Sequence, residues 1–323
     1  MPIQDIYAIV ETEFEQTNRL INTQLSSHVP LVEKIADYII SSGGKRMRPL
    51  VVLLVSGALN NSKTEDQAKL AAVIEFLHTA TLLHDDVVDT SELRRGRSTA
   101  NAQWGNAPSV LVGDFLYARA FQMMVELQDM AIMDTLANAT KVIAEGEVFQ
   151  LTNCKNPDID EAQYFEVIKN KTAMLFEAAA HSAAILSHAN AEVIDACSEF
   201  GLQLGLAFQL VDDALDYMGD AQTMGKNVGD DLAEGKPTLP LIEAMKRANA
   251  DDRQVIRKAI RKGDLDALDA VCNIVHSTGA LDYTYERALA AQDKAISALH
   301  KLPNSAHKSA LEELARLAVK RQN

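Results

Sequence analysis

The stretch Leu82-Leu83-His84-Asp85-Asp86-Val87-Val88-Asp89 decides how the rest of the chain is read. Its acids stand at i, i+1 and i+4 inside an apolar run without Gly or Pro. Such a run predicts a helix, on which i and i+4 share a face and i+1 lies roughly 100° round. The pattern returns in Gln209-Leu210-Val211-Asp212-Asp213-Ala214-Leu215-Asp216. Like charges crowded on one wall repel, and buried ions are costly unless paired. A cation must answer each cluster, and Mg²⁺, a hard ion that shares its coordination with substrate phosphates, suits the task. One acidic cluster alone would be an ordinary solvated helix face. Here Leu82, Leu83, Val87, Val88, Leu210, Val211, Ala214 and Leu215 flank the acids, whereas solvated faces alternate charge. Asp85, Asp86, Asp89, Asp212, Asp213 and Asp216 are therefore the candidate metal ligands.

Working outward, the chain has 323 residues, 47% of them apolar, with only 15 Gly and 8 Pro. That composition supports a large core and favours helices over a sandwich or barrel. Length alone suggests about two domains, but no linker or low-complexity segment divides the chain. The expectation is one large all-α domain over residues 1–323, a helical bundle with a central substrate cavity in which the two acidic motifs face each other. Net charge is −14, which argues against a nucleic-acid surface. Cys154, Cys197 and Cys272 show no metal spacing and read as reduced thiols without a role. No signal peptide is seen at the N-terminus, and no apolar run reaches the roughly 18 residues of a membrane span. A cytoplasmic protein is expected, with a peripheral membrane contact left open.

Helices are expected over 4–25, 30–41, 66–90, 107–127, 131–153, 161–188 and 190–218, with four shorter ones in 240–320 broken near Gly263, Gly279 and Pro303. Residues 90–105 read as an Arg-rich loop, and Asp160 or a neighbour as a helix cap.

If the acids hold metal and phosphate, basic groups should meet the remaining oxygens. Lys45 and Arg48, in Gly43-Gly44-Lys45-Arg46-Met47-Arg48-Pro49, share a face at a helix start. Arg94 and Arg95 follow Asp89 closely, and Lys226 and Lys236 bracket the loop after Asp216. Arg offers phosphate a planar fork and Lys a compact charge. Arg97 reads as a solvated turn residue. His78 lies two turns before Asp85 on its face, and Gln209 three residues before Asp212. Lys171 and Thr172 interrupt a helix rich in Ala, Phe and Leu. Glu145, Glu147 and Gln150 either line a cavity or join helices.

These motifs, together with Lys171-Thr172-Ala173 and the run from Gly225 to Pro240, in this order, resemble the trans-prenyl diphosphate synthases nearly end to end. Within that family the chain is most similar to the bacterial octaprenyl type, which makes quinone side chains. The resemblance implies an all-α isoprenoid synthase fold, Mg²⁺ and a homodimer. It also implies a metal-bound allylic diphosphate, such as farnesyl diphosphate, on Asp85, Asp89 and Asp212, with Asp86, Asp213 and Asp216 in support. Arg94, Lys171, Thr172, Gln209, Lys226 and Lys236 would contact that diphosphate. Isopentenyl diphosphate would sit on Lys45, Arg48, His78 and Arg95. Asp85, Asp89, Asp212 and Lys171 would carry catalysis.

A growing apolar tail needs room one turn, about 5.4 Å, below the first acids. Ala80 and Thr81 lie there and are small, whereas short-product members of the family carry bulky aromatics at this level. An open tunnel and a long product, octaprenyl ahead of nonaprenyl, are expected. Phe121, Met123 and Met124 are candidate floor residues, Met being adaptable. A terpene cyclase would not need Lys45, Arg48 and Arg95, and a non-catalytic partner subunit would be expected to have lost aspartates.

Overall fold

The computed structural model describes residues 1–60, 64–218 and 229–320. Among them the chain is all-α apart from one small hairpin. The helices are α1 (Ile3–Ile9), α2 (Glu11–Gln24), α3 (Pro30–Ser41), α4 (Met47–Ala58) and α5 (Thr64–Val88). The hairpin strands β1 (Leu93–Arg94) and β2 (Arg97–Ser98) come next, then α6 (Ala100–Trp104), α7 (Asn106–Glu126) and α8 (Met130–Asn153). Next are α9 (Glu161–Ile168), a π-turn (Lys169–Ala173), α10 (Met174–Leu186) and α11 (Ala191–Leu215). The last are α12 (Asp230–Glu234), α13 (Leu239–Arg247), α14 (Ala250–Lys262), α15 (Leu268–Ser277), α16 (Ala280–Ala298) and α17 (Ala306–Val319).

By contact the chain divides into two compact units. The first comprises residues 1–140, 175–201 and 298–314. Within it α5 packs against α2, α4 and α7. Ala71, Ala72, Val73, Ile74 and Phe76 are all fully buried, as are Leu50, Val51, Val52, Leu54 and Val55 of α4. A helix apolar all round can only be central. Each large aliphatic so buried contributes about 1.5–3 kcal/mol relative to exposure. The second unit comprises residues 141–174, 202–297 and 315 onward. One of its core clusters gathers Tyr217, Leu232, Leu241, Ile256, Ile260 and Val271, and another Tyr164, Leu210, Val211 and Leu239. No helix among the described residues is long and apolar enough to cross a membrane.

Four local features depart from the sequence expectation. The helix over 4–25 breaks at the buried Val10 (φ −125°, ψ 26°), whose amide donates to the Tyr7 carbonyl and closes α1. The loop over 90–105 holds a hairpin and a short helix. Arg95 (φ 53°) and Gly96 (φ 73°) form its two-residue turn, and positive φ at both central positions is what the twist of such a hairpin demands. The helix over 161–188 carries the π-turn. The C-terminal region has five helices instead of four, because Asn249 accepts from the amides of Asp251 and Asp252 and starts α14.

Candidate active site

In the first unit the acidic motif occupies the last turn of α5. The helix ends in a paired cap: the Ser91 amide donates to the Asp86 carbonyl at 2.9 Å and the Thr90 amide to the Val87 carbonyl at 3.3 Å, with Thr90 left-handed at φ 51°. A helix C-terminus carries partial negative charge, so three carboxylates there are doubly unfavourable without a cation. One cation comes from the protein. Asp86, fully buried, accepts on Oδ1 from Arg94 Nε at 2.9 Å and Nη2 at 2.7 Å, while its buried Oδ2 has no hydrogen-bond partner.

The same unit gathers the basic residues of two sequence clusters. The hairpin turn brings the Arg95 guanidinium over Gly44, where an added Cβ would lie 2.5 Å from Nη1. Arg48 stacks on Phe176, 4.2 Å from the ring centre, and its Nη1 lies 3.2 Å from His78 Nε2. Arginine only donates, so His78 Nε2 accepts and the ring is neutral with its proton on Nδ1. Burial, then Arg48, Arg95 and Arg94, push the His78 pKa well below its usual value, in agreement with that tautomer. Lys45 is exposed, its carbonyl accepting from the Tyr7 hydroxyl, and Arg97 lies exposed near the Tyr38 ring.

Glu75 lies among these arginines, and the sequence reading passed it over. It sits one turn before His78, 3.9 Å from Arg46 Nε. Burial raises its pKa, opposed by Arg46, Arg48 and Arg95. A lone acid in Ala-Ala-Val-Ile-Glu-Phe-Leu-His was the available signal. Arg46 also donates to Asn18, so among its basic neighbours it serves as a tether.

In the second unit the other motif also ends its helix. Asp213 accepts from the Tyr164 hydroxyl at 2.5 Å on Oδ2 and from Gln209 Nε2 at 2.7 Å on Oδ1. The Thr172 hydroxyl donates to Gln209 Oε1 at 3.0 Å, which completes a chain of four side chains. Burial, followed by Asp231, raises the Asp213 pKa, and its two donors hold it back. Asp216 accepts from the backbone amides of Gly229 at 3.3 Å and Asp231 at 3.1 Å and so caps α12. Lys171 Nζ donates to Glu147 Oε2 at 2.6 Å and Gln150 Oε1 at 2.8 Å. Lys236 pairs with Glu234 just beyond α12. Lys226 lies outside the described residues. Tyr164 carried no signal in the sequence.

Of the proposed tunnel residues, Ala80, Met123 and Met124 are fully buried, Phe121 is half-buried, and the half-buried Thr81 donates to the His78 carbonyl at 2.8 Å. No group of three or more His, Cys, Asp or Glu close enough to enclose a metal occurs among the described residues. The acidic motifs offer hard carboxylate oxygens, the donor type Mg²⁺ prefers when it shares its shell with water and substrate phosphate.

Residues 29–275 match the polyprenyl synthetase family. The chain is 48% identical to octaprenyl diphosphate synthase of Haemophilus influenzae, over 99% of this chain and 98% of that one. It is also 48% identical to the all-trans-nonaprenyl-diphosphate synthase (geranyl-diphosphate specific) of Rhodobacter capsulatus, over 98% of each. The crystal structure of a polyprenyl synthase from Caulobacter crescentus CB15, complexed with calcium and isoprenyl diphosphate, superposes with a TM-score of 0.96 at 43% identity, covering 100% of this chain and 98% of that one.

Proposed function

The chain belongs to the polyprenyl synthetase family, and from that premise we propose that it condenses isopentenyl diphosphate head-to-tail with an allylic diphosphate to make all-trans octaprenyl diphosphate. The observation that carries this reading is the pair of acidic motifs, each at a helix C-terminus where a cation must be supplied.

Asp85, Asp89 and Asp212 are the metal ligands in this proposal. Bound Mg²⁺ would supply Lewis acidity to the departing diphosphate. Arg94, Lys171, Thr172, Gln209 and Lys236 bind that diphosphate, as does Lys226, while Lys45, Arg48, Arg95 and neutral His78 bind isopentenyl diphosphate. The allylic carbon–oxygen bond breaks, and the alkene of isopentenyl diphosphate attacks the resulting cation to form the new carbon–carbon bond. A proton then leaves to the released diphosphate. Asp86 and Asp213 support the site through Arg94 and through Tyr164 and Gln209.

An octaprenyl relative at 48% identity supports this product, and the nonaprenyl relative at the same identity keeps one further addition as the second reading. A homodimer is what the family resemblance implies; on α7 the exposed Leu111, Ala118 and Val125 share a face with the exposed Asp114 and Gln122. The test is incubation with farnesyl diphosphate, isopentenyl diphosphate and Mg²⁺, followed by chromatography of the dephosphorylated products. Octaprenol as the main product is expected, and a cyclic terpene or no condensation would refute the reading.

A further inference from the structure

We propose that Glu147 and Gln150 are positioning residues that aim the Lys171 ammonium at the allylic diphosphate, an inference that rests on the reading of Lys171 given above. Glu147 and Gln150 stand three apart on α8 and so share a face. Both side-chain oxygens converge on Lys171 Nζ, at 2.6 Å and 2.8 Å. A lysine ammonium rides on a flexible four-carbon stem, and two acceptors at fixed points remove most of that freedom. The backbone is built for the contact. At Gly146 an added Cβ would lie 2.8 Å from Asn170 Cβ and 3.0 Å from the Lys171 amide nitrogen, so glycine lets α8 touch the π-turn. The π-turn sends adjacent side chains to different helices, Lys171 to α8 and Thr172 to Gln209 on α11. Lys171 and Glu147 are 18% and 24% exposed, so an anion can reach the ammonium in a largely desolvated setting. Holding a charged group in its working geometry before substrate arrives lowers the entropic cost of binding.

The experiment uses the full chain with Mg²⁺ and a non-cleavable thio-analogue of an allylic diphosphate, titrated by calorimetry, alongside kinetics with each substrate varied. Glu147→Ala is expected to weaken the analogue roughly tenfold and raise the allylic KM in step, with the isopentenyl diphosphate KM moving less than about twofold. Glu147→Gln, which keeps an acceptor, should restore most of the loss. In a Lys171→Gln background, Glu147→Ala should add nothing. Unchanged or tighter binding in Glu147→Ala, or losses that add in the double variant, would overturn the proposal. Normal analogue binding by Lys171→Gln would instead remove Lys171 from the diphosphate site and the proposal with it. Should Glu147→Ala unfold, as melting would reveal, Gly146→Ala replaces it and must reproduce the allylic-specific loss.

Discussion

Asp86 and Arg94 form a charge pair in which one carboxylate oxygen takes two hydrogen bonds from one guanidinium, with the acid fully buried and the base a quarter exposed. Removing the base strands a buried carboxylate, whereas replacing the acid by an amide does not. Arg94→Leu should therefore cost about 2–4 kcal/mol of stability, and Asp86→Asn less. Urea denaturation of both variants checks the order, and the reverse order would show that Arg94 is not the partner that makes Asp86 tolerable.

Turnover should depend strictly on divalent metal. Asp85→Ala and Asp212→Ala are each expected to lower it by about three orders of magnitude, the equivalent of roughly 4 kcal/mol at the transition state. Near-normal rates in either variant, or in excess chelator, contradict the metal assignment.

Product length should be set sterically at Ala80. Phenylalanine there places a ring about one turn, 5.4 Å, below the first acids. Ala80 is fully buried, so overpacking should also cost about 1–3 kcal/mol, to be measured by melting. Chromatography of dephosphorylated products should show short prenyl alcohols. A folded, active Ala80→Phe enzyme that still makes the parent product would exclude this face as the tunnel wall.

Stability should fall on mild acidification in part through His78. Its folded pKa lies well below the ordinary 6.5, so the unfolded chain binds the proton first. The stabilisation is complete above about pH 6.5 and is lost as pH falls below it, by up to about 1.4 kcal/mol at pH 5.5. His78→Gln, neutral at both values, should show a shallower drop between pH 7 and 5.5 in urea denaturation. Equal drops would mean that His78 is not buried neutral.

Much of this architecture was legible because apolar periodicity is a local signal. The two acidic motifs were expected on helices and lie at the ends of α5 and α11. What escaped depends on partners remote in sequence. The break at Val10 has no Gly or Pro to mark it. The hairpin at Arg95 needs positive φ at a residue that is not glycine. The π-turn has no compositional mark, and Tyr164 gains its role only by meeting Asp213, 49 positions away. The cap at Asn249, by contrast, was readable from Asn-Ala-Asp-Asp and was missed. Glu147 and Gln150 were visible as polar residues on an apolar helix, but only the distances to Lys171 decide between their two readings.

The adjacent glycines 43 and 44 look interchangeable as letters, yet they have different freedom to drift. Gly43, at φ 84° with nothing within 4 Å of a would-be Cβ, answers only to its backbone. Gly44 answers twice, to φ 144° and to the guanidinium of Arg95 overhead. A lineage that lost Arg95 would still be bound by the dihedral, and one that relaxed the dihedral would still meet the arginine. Escape requires two coordinated changes, so position 44 should be the more slowly varying of the pair.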